Sequence, residues 1–219
     1  GSTYPWEGNF NSTDTGNGNK LTSIPLLGWR AKGGLPVAFV LHHNSQGSSN
    51  SVLGQKWSHS YNITLAVTST TATVKWGDEL SYGFDKQVDG SYKPQIPGIH
   101  DTLVYNATTP ASYDLTTREQ VKYRFTNPNG TGWLCTRVSD LNNNQITVNW
   151  NTSNQVTSIV DPTARQITLT YTGGRITGVT GPLTRQGTIG YNTTTNDLQT
   201  LTWPQVTVNS VLTSYSQTF

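Results

Sequence analysis

Four short segments of the chain share one pattern of apolar and polar positions. Residues 120–125, 145–150, 166–171 and 186–191 each begin with Gln, alternate in polarity and end on an aromatic residue. Alternation with a period of two predicts a β-strand that has one apolar face. The four closing aromatic residues are Phe125, Trp150, Tyr171 and Tyr191, and we expect them to form the core of a repeat.

A second apolar signal follows each of these strands. It consists of two apolar residues three positions apart: Cys135 and Val138, Val156 and Ile159, Ile176 and Val179, and Leu198 and Leu201. Two short strands and two turns, recurring about every twenty residues, indicate an array of hairpins. One hairpin cannot bury its apolar face alone, so neighbouring hairpins must stack.

This ladder resembles the tyrosine–aspartate (YD) repeats of the RHS family, the bacterial relatives of the teneurin shell. Gly174, Arg175, Ile176, Val179 and then Gly181-Pro182 follow the family motif of Gly-Arg, two spaced apolar residues and Asp-Pro. Gly181 replaces the usual Asp. The earlier segment with Val156 and Ile159 ends in Asp161-Pro162, and Trp203 takes the Asp position before Pro204.

A second resemblance lies nearer the beginning of the chain. Gly54, Trp57 and Tyr61 are similar to a glycine-tryptophan segment at the start of RHS proteins, with Lys56 where a second Gly is usual. With the ladder, the resemblance covers nearly all of residues 19–204. It implies a β-shell whose complete repeats enclose a toxin or effector domain, with catalysis belonging to that C-terminal cargo and not to the shell.

The rest of the pattern predicts further strand pairs and almost no helix. We expect an all-β fold of antiparallel hairpin repeats forming a continuous, curved or spiralling sheet, an open fragment of an RHS/YD-type shell. Residues 1–18 are predicted to be a cloning scar (Gly1-Ser2) and an extended lead-in, residues 19–118 an RHS-type N-terminal β region, and residues 119–219 a YD-like repeat region. The end of the chain resembles a cut array, with a further strand opening at Gln205.

Composition narrows the function classes. Only 12% of the residues are charged, and Thr (36) and Asn (19) are abundant, which suits an exported, secreted or cell-surface β protein. A net charge of +2 without a basic run argues against a nucleic-acid surface. No apolar stretch approaches the roughly 18 residues that insertion into a membrane requires. Cys135, the single cysteine, is predicted to be a buried apolar residue.

The aromatic residues offer a second function. Aromatic rings on a β-sheet can stack against sugars while amide and hydroxyl neighbours bind the sugar hydroxyls. The candidates for carbohydrate binding are Trp133, Trp57, Trp76 and Trp203, with Trp133 the best of them because it follows the Asn129-Gly130 turn. An aromatic residue that merely covers the end of a hairpin is the commoner arrangement. Trp150 is expected to be a core position.

Other chemistry has weaker support. His42, His43 and His59 would approach one another if residues 36–43 and 57–65 paired, and such imidazoles can bind zinc or copper. Their spacing matches no zinc module, so we expect no metal and no cofactor. Asp78-Glu79 suits a solvated turn, and Asp140, Asp161 and Asp197 recur with the repeat, which indicates structure more than catalysis.

Three hypotheses follow. The first is a non-catalytic shell segment whose partners are the rest of its RHS-type chain and the C-terminal cargo. The second is a carbohydrate-binding module with a polysaccharide partner. The third and weakest is a glycan-active or metal-assisted enzyme on the same scaffold. The first requires closing aromatics in register, and removal of Tyr171 is expected to unfold the chain.

Overall fold

The computed structural model describes residues 11–13, 19–208 and 211–219. The first twelve strands are β1 (Asn11–Thr13), β2 (Lys20–Arg30), β3 (Pro36–Asn44), β4 (Asn50–Ser51), β5 (Gly54–Gln55), β6 (Trp57–His59), β7 (Thr64–Val67), β8 (Thr71–Lys75), β9 (Ser81–Lys86), β10 (Tyr92–Pro94), β11 (Thr102–Asn106) and β12 (Ser112–Thr116). The others are β13 (Lys122–Thr126), β14 (Trp133–Ser139), β15 (Gln145–Trp150), β16 (Val156–Val160), β17 (Gln166–Thr172), β18 (Arg175–Thr180), β19 (Gln186–Tyr191), β20 (Leu198–Thr202), β21 (Val206–Val208), β22 (Val211–Thr213) and β23 (Ser216–Thr218).

The described residues contain no α-helix, only short 3-10 turns at Lys32–Gly34 and Pro182–Thr184. Every described strand pair is antiparallel. The prediction of an all-β fold built from antiparallel hairpins is therefore confirmed. None of the helical turns in this part of the chain has the length and apolar character needed to cross a bilayer.

The chain forms two compact units, and each unit is built from more than one segment of the sequence. Unit 1 contains Gly1–Arg30, Pro36–Ser60 and Ala164–Phe219, and unit 2 contains Ala31–Leu35 and Tyr61–Thr163. The RHS-like opening and the ladder thus each contribute to both units.

The described part of unit 1 contains two larger strand ladders and two short two-stranded pairs, β4 with β5 and β21 with β22. One of the larger ladders has the order β1-β2-β3-β6, and the other has the order β17-β18-β19-β20-β23. Its fully buried side chains include Phe39, Leu41, Leu53, Ile167 and Ile176. Strand β3 lies between β2 and β6, and its residues Val37 to Leu41 are all buried.

Unit 2 is organised around β14. One edge of β14 pairs with β13 along its length, and the other edge pairs first with β7 and then with β15. Strands β8, β9 and β10 continue from β7, while β12 and β11 continue from β13. Phe84, Leu115 and Phe125 are fully buried.

The further strand predicted to open at Gln205 is present as β21. It forms its own hairpin with β22. The chain then returns, and β23 pairs with β20 through Leu201 opposite Gln217.

Candidate functional site

Each of the four predicted hairpins contains a β-bulge at its closing aromatic residue. The register shifts between Arg124 and Phe125, Asn149 and Trp150, Thr170 and Tyr171, and Gly190 and Tyr191. A bulge places two residues of one strand opposite one residue of its partner. The residue added in the second strand is Thr136, Thr157, Thr177 or Gln199.

The bulge explains why the apolar residues of each second strand are three apart. In a regular strand such residues would point to opposite faces, but the added residue restores them to one face. The resulting partners are Tyr123 with Val138 and Phe125 with Cys135, Val148 with Ile159 and Trp150 with Val156, Leu169 with Val179 and Tyr171 with Ile176, and Ile189 with Leu201 and Tyr191 with Leu198. All eight residues of the second strands are buried.

The closing aromatic residues differ in exposure. Phe125 is 0% exposed, whereas Trp150, Tyr171 and Tyr191 are half-buried. Burial raises the pKa of Tyr171 and of Tyr191 above the ordinary tyrosine range. These rings therefore stand at the margin of the apolar face, where a polar ring atom can reach a polar partner.

Those partners are backbone carbonyls of the preceding hairpin. In unit 2 the Trp150 indole Nε1 donates to the Cys135 carbonyl at 2.8 Å. In unit 1 the Tyr191 hydroxyl donates to the Ile176 carbonyl at 2.7 Å. Cys135 and Ile176 are equivalent residues, the first inner residue after the turn of their hairpins. The two bonds therefore perform the same task with different side chains.

The backbone N–H groups of Cys135 and Ile176 are also satisfied in equivalent ways. Cys135 N donates to the Ile63 carbonyl at 3.0 Å, and Ile176 N donates to the Val52 carbonyl at 3.0 Å. The next hairpin pairs only with later residues, 137–139 on β14 and 178–180 on β18. Because buried backbone groups require partners, carbonyls from outside the ladder supply them.

Val52 lies at the tip of the β4–β5 hairpin, which is fastened to unit 1. Leu53 beside it is fully buried. The Arg175 guanidinium donates to the Ser51 carbonyl and, at 2.9 Å, to the Asn50 side chain. No sequence pattern points to Ile63, Val52 or this function of Arg175. Carbonyls carry no residue-type signal, so only the three-dimensional arrangement reveals the first two.

Trp133 belongs to an aromatic cluster in unit 2. Its ring lies 4.8 Å from Tyr113 and 6.5 Å from Tyr105, at interplanar angles of 84° and 88°. Tyr92 packs edge-on against Tyr113 with the ring centroids 5.9 Å apart. Tyr105 is 46% exposed, while Trp133 is half-buried. Trp133 is perpendicular to both tyrosine rings, and Tyr105 is tilted by 44° to Tyr113, so the rings do not form one flat platform.

Trp57 lies at the wall of a cleft of about 590 Å³ in unit 1. Only 6% of Trp57 is exposed, because His43 and Phe219 pack against it at 4.8 Å and 5.1 Å between ring centroids. Burial and the charges of Lys56 and Lys20 lower the pKa of His43. The cleft therefore carries the charge of Lys20 beside a more neutral His43, and it presents little of the Trp57 ring.

The other two tryptophan candidates are both half-buried. Trp76 packs edge-on against Tyr123 at 4.9 Å between centroids. The Trp203 indole donates to the Pro25 carbonyl at 2.9 Å. Each ring thus contacts its own unit over part of its surface.

The histidine candidates lie on neighbouring strands, as expected from pairing of β3 with β6. His59 is opposite Leu41, however, while His42 is opposite Ser58 and His43 is opposite Trp57. His42 Nδ1 is 2.9 Å from the Ser23 hydroxyl. Among the described residues, no group of three or more His, Cys, Asp or Glu side chains is arranged to hold a metal ion.

His59 is enclosed in the core of unit 1. It is 2% exposed, and its ring stacks on Phe39 with the centroids 5.0 Å apart. Its buried Nδ1 has no hydrogen-bond partner within the described chain. Burial, with a smaller contribution from the charge of His42, lowers the pKa of His59 to about 3. The imidazole is therefore neutral at ordinary pH.

The recurring carboxylates organise turns. Asp140 accepts hydrogen bonds from the backbone N–H groups of Asn142 and Asn144, each at 2.9 Å, and Asp161 accepts one from Thr163 at 2.8 Å. Glu79, in the Asp78-Glu79 turn, forms an ion pair with Lys75 at 2.9 Å. These contacts give the three carboxylates structural tasks.

The fold and these contacts define an antiparallel β protein whose recurrent feature is the bulged hairpin. Residues 11–84 match the model of a family described as a domain of unknown function, DUF6531. The matched segment includes both β3 and the β4–β5 hairpin and ends before the four bulged hairpins. No curated protein matches the chain.

Proposed function

We propose that this chain is a non-catalytic wall segment of a larger exported RHS/YD-type shell. The observation that carries the proposal is the common register of the four hairpins, each with a bulge at the closing aromatic residue. A hairpin with this geometry separates an apolar inner row from a polar outer row. Such separation suits a wall between an enclosed volume and solvent.

Links between successive hairpins support the same function. The bonds from Trp150 to Cys135 and from Tyr191 to Ile176 each join a hairpin to the one before it. They satisfy backbone groups that the strand ladder leaves open. A wall made of repeated units needs this local closure at every bulge, because an unsatisfied buried carbonyl destabilises the structure.

The test uses the full polypeptide that contains this chain, purified under native conditions and treated with protease. A shell protects a C-terminal cargo fragment, and Ile176→Asp, which places a charge in the inner row, should make that fragment digestible. Thr170→Asp on the outer face is the matched control and should preserve protection. Equal digestion of the cargo in the native protein and in both variants would refute encapsulation.

Glycan binding is the second candidate, and the exposure of Tyr105 beside Trp133 favours it. The test is a binding screen of the 219-residue chain against soluble and insoluble polysaccharides. Trp133→Ala and the surface change Tyr105→Ala should both abolish binding, while Trp76→Ala, outside the cluster, should not. Absence of binding by the folded wild-type chain would remove this candidate and leave the wall proposal unaffected.

A further inference from the structure

The bulge in the β13–β14 hairpin places two adjacent side chains on the outer face. Cys135 and Val138 both face the apolar row, so Thr136 and Arg137 between them both point outward. Arg137 is directly opposite Arg124 of β13. The outer face of this hairpin thus carries two guanidinium groups on neighbouring strands.

The other three hairpins are neutral at the equivalent positions. Their outer pairs are Asn149 with Ser158, Thr170 with Gly178, and Gly190 with Thr200. Like charges directly opposite each other destabilise a sheet. Since the other three hairpins form without charges at this position, the bulged fold does not require the two arginines. Their presence therefore indicates a task other than stabilising the hairpin.

Only one of the two guanidinium groups is neutralised. Arg124 donates to both carboxylate oxygens of Asp114, each at 2.7 Å, and Asn106 supports that carboxylate at 3.3 Å. Burial raises the pKa of Asp114, but the hydrogen bonds and charge of Arg124 lower it overall. Within the described part of the chain, the Arg137 guanidinium has no hydrogen-bond or ion-pair partner.

A polar cleft of about 450 Å³ lies over this pair. The cleft is lined by residues 108–110 of the loop between β11 and β12 and by side chains of β12, β13 and β14. The hydroxyl groups that line it belong to Thr108, Thr109, Ser112, Thr126 and Thr136. With two arginines and the single carboxylate of Asp114 beside Arg124, the site has an excess positive charge.

We propose that this cleft binds an oxyanion, a carboxylate or a phosphate group, of a small hydroxylated ligand. The Arg137 guanidinium binds the anion, because its planar set of N–H donors matches two oxygens at once. The hydroxyl groups around it bind the remaining oxygens. An anion between Arg137 and Arg124 also screens the repulsion between the two guanidinium groups.

The test is an NMR titration of the 219-residue chain with inorganic phosphate and, separately, acetate, at ionic strength held constant with sodium chloride. We expect saturable shifts of the Arg137 side-chain N–H and of the Thr126 and Thr136 amides. Arg137→Gln should weaken binding at least about tenfold, as expected for loss of a charge-assisted hydrogen-bonding group. Arg185→Gln, at an exposed arginine, removes the same charge and should leave binding unchanged.

A second measurement separates binding from folding. The thermal midpoint of Arg137→Gln without anion should equal or exceed that of the wild type, because the repulsive pair is gone. Phosphate should raise the midpoint of the wild type and not that of the variant. Shifts that do not saturate, or an equal response in Arg137→Gln, would overturn the proposal. Saturation by only one of the two anions would identify the preferred oxyanion geometry.

Discussion

The same backbone problem is solved differently in the two units. In unit 2, Cys135 receives its carbonyl partner from Ile63, just before β7, and β7 itself pairs with β14. In unit 1, the equivalent Ile176 receives it from Val52, in a short hairpin fastened by Arg175. The bulge thus leaves one backbone N–H that needs a carbonyl acceptor from outside the ladder. Either a strand or a loop can supply that acceptor.

The side chains that satisfy the carbonyls differ in the same way. A tryptophan performs the task at Cys135 and a tyrosine at Ile176. What the two sites share is a donor at the edge of an aromatic ring, so aromatic identity can vary while the bond is kept. The comparison also predicts where each unit is vulnerable.

The largest effect should come from the aromatic core. Phe125→Ala empties a fully enclosed position in unit 2 and should lower the free energy of unfolding by about 3–5 kcal/mol. Tyr171→Ala, which the sequence pattern alone predicts to unfold the chain, removes a ring that is only half-buried and should therefore cost roughly 2 kcal/mol. Urea unfolding measures both values. An equal loss of unfolding free energy in the two variants would show that the difference in exposure between Phe125 and Tyr171 does not affect stability.

Acid should weaken unit 1 before unit 2. The pKa of His59 is lowered in the folded protein to about 3 from 6.5, so the unfolded chain binds more protons between these values. Stability is therefore complete above about pH 6.5 and falls by up to about 1.4 kcal/mol per pH unit as the pH drops toward 3.

Hydrogen exchange at β3 and β14, compared between pH 7 and pH 4.5, measures this acid effect. His59→Gln should flatten the pH dependence of β3, while His100→Gln, at an exposed position, should preserve it. An unchanged slope in His59→Gln would assign the acid sensitivity to other groups.

Loosening the β4–β5 hairpin should have a local effect. Arg175→Gln removes the bonds to Ser51 and Asn50 and should cost about 1–2 kcal/mol. Exchange of the Ile176 amide should accelerate, while the Cys135 amide should be unaffected because its partner is Ile63. Acceleration of both amides would contradict the assignment of Arg175 to one unit.

The smallest effect concerns a turn. Ala164 has a φ of 64°, whereas the comparable turn positions 143, 154 and 196 at φ near 60° hold Asn. Because Asn tolerates the left-handed region better than Ala, Ala164→Asn should stabilise the chain by roughly 0.5 kcal/mol. Thermal unfolding, with Ala66→Asn on an exposed strand position as the control, tests the direction.

Much of the local structure follows from the sequence pattern. The alternating segments and the closing aromatics predict the strands, although β13 begins at Lys122 because Gln120 lies in a turn with φ of 63°. The three-residue spacing of Cys135 and Val138 reflects the bulge, because a regular strand would place these two side chains on opposite faces. The pattern alone also predicts burial of Cys135, which is 1% exposed.

Long-range contacts could not be predicted in the same way. Val52 and Ile176 are far apart in sequence and meet through backbone atoms, which leave no residue signature. The sequence offers the pairing of β3 with β6 only as a hypothesis, and the register that places His59 opposite Leu41 could not be derived from it, because a shift by one residue reverses every side chain. Carbohydrate binding by the tryptophan candidates and the shell function of the repeat stay predictions.

The single thiol, Cys135, can report how often unit 2 opens. Burial raises the pKa of Cys135 to about 12, so the intact fold keeps the sulfur both enclosed and protonated. A thiol reagent can therefore modify the chain only when unit 2 opens far enough to expose the Cys135 side chain. At a reagent concentration where modification is faster than reclosing, the rate of labelling equals the rate of opening, and no introduced probe is needed.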